Sequence, residues 1–247
     1  DVSIFHKRFI DGMMANGYEK KFSEICFSQI EGFSKYGFPE SHAASFALIV
    51  YASAWIKFHY PGIFACALLN SQPMGFYSVN QIITDAKNHG VEIRPICINK
   101  SLWDNTIEHD KNNSLALRIG FRQVKSLSES IVRKIIYVRK TDFKSVYDVW
   151  VRSDLSYQSI FKLVKSDCFS SIGLKRTEAL WEAQTLRSQK RHSLFRNIID
   201  NTDAKYELNE LPNTTLGSEL LKDYNALNFS LRSHPMALLR HILNTKY

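Results

Sequence analysis

Residues 36–61 read YGFPESHAASFALIVYASAWIKFHYP, and this stretch predicts the centre of the fold. Its start, Gly-Phe-Pro-Glu, suits a helix N-terminus, because proline is favoured in a first turn and an acidic side chain is stabilised at the positive end of the helix dipole. From Ala43 to Ile56 the strongly polar groups are confined to two serines and one tyrosine hydroxyl. A helix that is apolar on every side is normally surrounded by protein or lipid, and a membrane span takes about 20 residues. We therefore expect a buried helix at the centre of a large helical layer.

Two interpretations are open for Ser41-His42, the polar tip of this helix. In the first, Ser41 caps the helix and His42 is an ordinary boundary histidine. In the second, the pair faces a ligand. Spacing alone favours the first interpretation, since short motifs often match by chance.

The helical spacing of apolar residues continues on both sides of this stretch. It predicts helices at 3–16, 19–33, 61–70 and 79–89. The extended piece 91–98 contains Pro95, which marks it as an edge strand or as irregular. Residues 104–108 and 115–121 predict a small antiparallel hairpin with its turn at 109–113. The expected fold class is mainly α with one small β element.

The positive charge is concentrated in residues 118–196, which carry a net charge of +10, whereas the whole chain carries +8. A basic block of domain size indicates a polyanionic partner, most often nucleic acid. A solvated set of surface helices is the alternative.

Later in the block we expect three short helices, broken at Asp154, at Ser166-Asp167 and at Gly173. Residues 197–217 are predicted to be a linker, followed by helices at about 216–226 and 235–244.

The four cysteines, at positions 26, 66, 97 and 168, form no CxxC pattern. This predicts reduced core thiols in a cytoplasmic protein, with no disulfides and no zinc site. The charged start of the chain does not resemble a secretory signal, and its first residue, Asp1, leads us to expect a piece of a longer protein. No closely spaced aspartate pair, P-loop or HExxH motif occurs, so we expect no catalytic residue and no metal site in this piece.

Residues Ile119–Ile136 have the pattern of a helix-hairpin-helix motif, in which a tight turn between two helices points free N–H groups at a DNA phosphate. The turn pattern is apolar–any–Gly–apolar–Gly, and here it reads Val124-Lys125-Ser126-Leu127-Ser128, with serine at both glycine places. Serine adopts left-handed backbone less readily than glycine. The nearby Arg133 and Lys134, with Lys125 and the serine hydroxyls, are expected to compensate only in part. An ordinary helical corner is the alternative.

Residues 189–195, QKRHSLF, end in a short Leu-Phe tail. An exposed Leu-Phe pair can fill an apolar pocket on a partner protein. The alternative, which the spacing slightly favours, is that Leu194 and Phe195 belong to a helix that continues to Ile199.

Taken together, these residues resemble the C-family bacterial DNA polymerases, the α-subunit group of DNA polymerase III. Residues 36–72 are similar to the fingers segment of that family, and 119–136 with 163–173 are similar to its tandem helix-hairpin-helix. Pro39-Glu40 and the joint 70–78, NSQPMGFYS, resemble the error-prone, damage-tolerant branch. That branch is induced with DNA damage and works beside a sliding clamp and an inactive Y-family-like accessory protein.

The resemblance implies a mainly α fold, with a fingers helical layer and a small β-hairpin followed by a tandem helix-hairpin-helix module. It divides the chain into the end of the fingers (1–78), a connecting helix and β-hairpin (79–117), the basic DNA-binding region (118–196) and a linker with a C-terminal helical segment (197–247) leading to an OB domain outside this sequence. The catalytic aspartates and their Mg²⁺ are expected in a palm domain that precedes Asp1.

The resemblance also assigns roles to residues. The incoming dNTP is expected to face Tyr36, Gly37, Ser41, His42 and Lys57. The duplex primer-template is expected to contact Arg122, Lys125, Ser126, Leu127, Ser128, Arg133, Lys134 and Lys165. The sliding clamp is expected to bind Ser193, Leu194 and Phe195.

The function expected from the sequence is therefore that of a fragment of an error-prone DNA-directed DNA polymerase used in DNA damage tolerance. The fragment would enclose the nucleotide and hold duplex DNA, without a membrane partner, and would be inactive alone. The alternative is a stand-alone, non-catalytic DNA-binding or docking protein. A third possibility is an RNA-binding helical module.

Overall fold

The structure is a computed structural model that describes residues 2–36, 40–73, 75–109, 115–188 and 214–246. The helices of these residues are α1 (His6–Ala15), α2 (Lys20–Tyr36), α3 (Glu40–His59), α4 (Pro61–Asn70), α5 (Val79–Asn88), α6 (Glu129–Val138), α7 (Val146–Ser153), α8 (Tyr157–Lys165), α9 (Arg176–Ser188), α10 (Leu216–Leu227) and α11 (Pro235–Lys246). Short 3-10 helices lie at Val2–Phe5, Phe121–Gln123 and Ser170–Ile172, and the strands are β1 (Glu92–Arg94), β2 (Thr106–His109) and β3 (Leu115–Arg118). The predicted mainly α fold class is confirmed.

The chain divides into two compact units, residues 1–55 and 56–247. In the first unit α1 packs against α2 around Phe27, whose ring centroid lies 4.5 Å from that of His6 and 5.6 Å from that of Phe9. Ile10 and Phe27 are the buried apolar side chains at this contact. The unit therefore has a small core.

Helix α3 does not have the buried surroundings that its composition predicts. Leu48, Tyr51 and Phe58 are 71%, 73% and 81% exposed. The other large apolar side chains of α3 with substantial exposure are Phe46, Ile49, Val50, Trp55 and Ile56. The prediction of a buried central helix is wrong for the chain as it stands, because an apolar composition shows that a helix needs cover but not which polypeptide supplies it.

The second unit contains a three-stranded sheet in the order β1-β3-β2. Strands β2 and β3 are antiparallel, which confirms the predicted hairpin, and Ile107 lies opposite Leu117. Residues 110–113 of its predicted turn lie outside the described residues. Strand β1 is an edge strand parallel to β3, and Pro95 follows it directly. The predicted edge position of this piece is therefore confirmed.

An ionic cluster joins all three strands. Glu108 on β2 accepts hydrogen bonds from Arg118 on β3 at 2.9 Å and from Arg94 on β1 at 2.8 Å. The pKa of Glu108 is lowered to about 2. The hydrogen bonds from Arg118 are the largest cause, and the hydrogen bond from Arg94 adds to them, whereas burial acts in the opposite direction. The cluster therefore stabilises the sheet only while this carboxyl is ionised.

The helices after the sheet end where the sequence predicts. Asp154, Asp167 and Gly173 have φ values of +50°, +63° and +87°, the left-handed backbone that stops a helix. Ser145 and Ser156 cap α7 and α8 by accepting hydrogen bonds from backbone N–H groups. All three predicted breaks are therefore confirmed.

One hydrophobic core extends through the second unit. It includes Leu69 of α4, Leu117 of β3, Leu163 of α8 and, just after α10, the fully buried Phe229. The segment around α10 is thus packed into the same core as the helices of the basic block. The four cysteines are free thiols; those at 66, 97 and 168 are buried, whereas Cys26 is only partly buried.

Candidate nucleic-acid interface

The first predicted hairpin forms a tight turn between the 3-10 helix Phe121–Gln123 and α6. Val124 and Leu127 are buried and anchor the turn, whereas Lys125, Ser126 and Ser128 are exposed. Leu127, which the resemblance places at the DNA, is buried, so its side chain is not part of the exposed face of the turn. The turn is therefore held from inside by its two apolar positions and presents its polar positions outward.

The two serines at the glycine places of the motif differ in backbone conformation. Ser126 has φ +57°, in the left-handed region that favours glycine. Ser128 has φ −91° and ψ 151°, an ordinary extended conformation, and it is the N-cap residue of α6. Only the first of the two positions therefore needs the conformational freedom of glycine.

The start of α6 presents several polar groups to solvent. The hydroxyls of Ser128 and Ser130 lie 3.0 Å apart, and Glu129 accepts a hydrogen bond from Arg133 at 2.6 Å. Lys134 is exposed one residue further along. We call the group Ser126, Ser128, Ser130, Arg133 and Lys134 the first-hairpin surface. It combines hydroxyl donors, two cations and the positive end of a ten-residue helix, although Glu129 offsets part of this charge.

Two residues predicted to bind DNA are engaged elsewhere. The Lys125 amide donates to the carbonyl of Ala226 at 3.0 Å, and its Nζ donates to the carbonyl of Tyr224 at 2.8 Å. Arg122 donates to the carbonyl of Asn70 and to the carboxylate of Asp104, both at 2.7 Å. These side chains connect parts of the protein through the hydrogen bonds that they donate.

The second hairpin follows α8. Lys165 is exposed, and its Nζ lies 4.4 Å from the ring centroid of Phe161. Lys162, which the sequence did not single out, donates from Nζ to the carbonyl of Ser126 at 2.6 Å and so joins the two hairpins. This contact links residues 36 positions apart and has no local sequence signal.

A buried group of charges beside the second hairpin also escaped the sequence analysis. Arg176, only 5% exposed, pairs with Asp167, Glu219 and Asp223. Arg232 completes the group, with its Nη2 2.5 Å from a carboxylate oxygen of Asp167. Burial raises the pKa of Asp167 although both arginines act to lower it.

The structure describes the predicted nucleotide-facing residues in part. Tyr36 is the last residue of α2, and Gly37 lies outside the described residues. Ser41 and His42 belong to α3 and are exposed. Ser41 lies inside α3, not at its N-cap, and the ring of His42 is 4.4 Å from that of Phe46. Lys57 forms an ion pair with Asp85 at 3.0 Å.

The predicted clamp-binding residues, Ser193, Leu194 and Phe195, lie outside the described residues. Within the residues that the structure describes, no three His, Cys, Asp or Glu side chains are grouped so that they could hold a metal ion. Over the same residues, no helix combines the length and apolar character needed to cross a membrane.

Comparison with known proteins agrees with the hairpin geometry. Residues 90–179 match a family model described as a helix-hairpin-helix motif. The chain is 46% identical over 97% of its length to an error-prone DNA polymerase of Ruegeria pomeroyi, and 43% identical over 98% to one of Mesorhizobium japonicum. It is 45% identical over 99% of its length to error-prone DNA polymerase 3 of Agrobacterium fabrum.

These alignments cover 22%, 24% and 23% of the three relatives, so the chain spans less than a quarter of the length of the curated relatives it matches. Nearly every residue of the chain nevertheless takes part in the similarity. The chain is thus similar, almost from end to end, to one segment of error-prone DNA polymerases, and it contains a helix-hairpin-helix motif.

Proposed function

We propose that this chain is a segment of an error-prone DNA polymerase and that its helix-hairpin-helix region holds duplex DNA by the sugar-phosphate backbone. The observation that carries the proposal is the first-hairpin surface, where exposed serines, Arg133 and Lys134 surround the start of α6. A helix N-terminus binds phosphate through its free N–H groups and its dipole. Such contacts do not read base edges, so the binding would be independent of sequence.

The exposed apolar surface of α3 supports a segment of a larger protein over a stand-alone binding protein. Monomeric soluble proteins rarely leave large contiguous apolar surfaces in water. Helix α3 exposes large apolar side chains over most of its length, among them Leu48 and Phe58. A covering domain of a longer polypeptide would remove these side chains from water.

The finer roles follow from the resemblance to the error-prone polymerases. The parent protein would add nucleotides to a DNA 3′ end during damage tolerance, in the cytoplasm, with Mg²⁺ held by palm aspartates outside this chain. Tyr36, Gly37, Ser41 and His42 would face the incoming dNTP. Lys57 would do so only after release from Asp85. The segment Ser193–Phe195 would bind a sliding clamp, and a Y-family-like protein would act as an accessory.

DNA binding by the whole chain tests the proposal. The affinity for a fluorescently labelled duplex of about 20 base pairs is measured by anisotropy between about 50 and 200 mM salt, where each phosphate contact contributes about −0.9 to the slope of log affinity against log salt concentration. Lys134→Met should make this slope shallower by about 0.9. The matched control is Lys144→Met, because Lys144 is an exposed lysine of the same basic region that is not part of α6 or of the first-hairpin surface.

Two results would reject the proposal. One is wild-type binding that does not depend on salt. The other is a Lys134→Met slope equal to that of Lys144→Met. An RNA duplex that competes better than the DNA duplex would instead favour an RNA-binding module.

A further inference from the structure

The segment 214–232, which contains α10, contacts both hairpins of the basic region. It begins at Thr214, whose hydroxyl donates to Glu219 at 2.8 Å, and it ends at Arg232. Its apolar side chains Leu220 and Phe229 are 2% and 0% exposed. The segment is therefore a fixed part of the second unit.

At the first hairpin the contact is made by Lys125. The backbone N–H and the Nζ of Lys125 both donate to carbonyl oxygens in the last turn of α10. Carbonyls at a helix C-terminus carry the negative end of its dipole, so a lysine is stabilised there. The backbone N–H and one of the three N–H groups of Nζ are therefore engaged with α10.

At the second hairpin the contact is the buried charge group. Arg176 opens α9, Asp167 lies in the turn after α8, and Glu219 and Asp223 lie on α10. Asp223 also accepts a hydrogen bond from the hydroxyl of Ser230 at 2.6 Å. Arginine and carboxylate pairs are directional, and a buried charge that loses its partner is strongly unfavourable. The group therefore permits few arrangements of α10 against the hairpin.

We propose that residues 214–232 form a clasp that sets the position of the first hairpin relative to the second, and that Lys125 and Arg176 are positioning residues for DNA binding. The inference rests on the proposed function. Two hairpins that contact neighbouring phosphates of one duplex must stay at a constant distance from each other. If the clasp already holds them at that distance, DNA binding does not have to spend free energy on ordering them. The direct contact of Lys162 with Ser126 is the second link between the hairpins.

The experiment compares Lys125→Met with Lys134→Met in the whole chain. Both variants remove one ammonium group from an exposed lysine near the first turn. Two quantities are measured for each: the salt slope of duplex binding, and the hydrogen-exchange rates of the amides of α10 by mass spectrometry.

For Lys125→Met we expect DNA affinity about threefold weaker with an unchanged salt slope, since one exposed hydrogen bond to a carbonyl contributes little and, on this proposal, no phosphate contact is lost. Amides of α10 should exchange about threefold faster. Lys134→Met should show the reverse, with a shallower slope and unchanged exchange in α10. Lys125→Arg, which keeps the donors, should restore the wild-type affinity.

Arg232→Met provides a second test that leaves the buried Arg176 in place. The Arg232 side chain is 40% exposed, so the Arg232→Met variant is expected to fold. We expect faster exchange in α10 and around Asp167, again with an unchanged salt slope.

A shallower slope for Lys125→Met, equal to that for Lys134→Met, would show that Lys125 contacts phosphate and would overturn the clasp. Unchanged exchange in α10 for both Lys125→Met and Arg232→Met would also overturn it. Failure of the proposed function looks different, because the wild-type chain would then show no salt-dependent binding to duplex DNA at all.

Discussion

Replacing Ser126 and Ser128 separately by glycine should change stability in opposite directions. The two serines occupy equivalent glycine places in the hairpin pattern, but only Ser126, at φ +57°, has left-handed backbone. Ser128, at φ −91°, does not. No side-chain capping hydrogen bond is lost at Ser128, because its hydroxyl is 3.0 Å from that of Ser130 and does not cap α6.

The magnitudes follow from the backbone. A left-handed conformation costs an L-residue about 1–2 kcal/mol, and glycine avoids this cost. Glycine also loses about 0.5–1 kcal/mol more conformational entropy on folding. Ser126→Gly should therefore raise the free energy of unfolding by about 0.5–1 kcal/mol. Ser128→Gly should lower it by a similar amount, because only the entropy cost applies.

Urea denaturation followed by tryptophan fluorescence measures both changes, since Trp103, Trp150 and Trp181 lie in the unit that contains the hairpin. In a unit of this size about 1 kcal/mol corresponds to a shift of about 2–4 °C in Tm, which gives an independent check. A change of the same sign for both variants would refute the conformational difference between the two serines.

Three further predictions concern stability. Gly120→Ala should lower the free energy of unfolding by about 3 kcal/mol in urea denaturation, because its Cβ would lie 2.4 Å from neighbouring backbone atoms, whereas Gly75→Ala should be neutral. Glu108→Gln should cost about 3 kcal/mol at pH 7, and the difference from wild type should disappear as the pH falls from about 4.5 to about 2, the range between the ordinary and folded pKa values. Leu48→Ala should change stability by less than about 0.5 kcal/mol, against about 2–5 kcal/mol for the buried Leu163→Ala.

Each of these predictions has a clear opposite result. Equal stability of Gly120→Ala and Gly75→Ala would mean that the backbone at Trp103 and Asp104 can move aside. A Glu108→Gln cost that persists at pH 2 would show that the carboxyl acts by shape and not by charge. A loss above about 2 kcal/mol for Leu48→Ala would show that α3 is buried in solution.

Much of the local structure was predictable because its causes lie within a few residues. The predicted α4 and α5 follow the spacing of apolar side chains, and Gly90 follows the second of them with φ +79°. The breaks at Asp154 and Gly173 follow from residue types that tolerate left-handed backbone. The β2–β3 pair follows from alternating apolar residues on either side of a polar turn.

The sequence did not predict the surroundings of α3 or the destination of Lys125. Composition measures the tendency of α3 to leave water, but the covering surface is a property of other chain segments. The sequence around a lysine beside a hairpin turn is the same whether its side chain points to solvent or to the end of a helix. The sequence therefore could not show where Lys125 points. Its partner, Tyr224, is 99 residues away.

The sequence by itself therefore determined the order of most helices and strands, which block is basic, and which segment of known polymerases the chain resembles. Tertiary structure alone decided which charged groups are free. It paired Arg176 with α10, engaged Lys125 with the last turn of α10, and left Lys134 exposed. The physical reason is range: backbone conformation depends on adjacent residues, whereas the partner of a charge depends on packing between segments far apart in sequence.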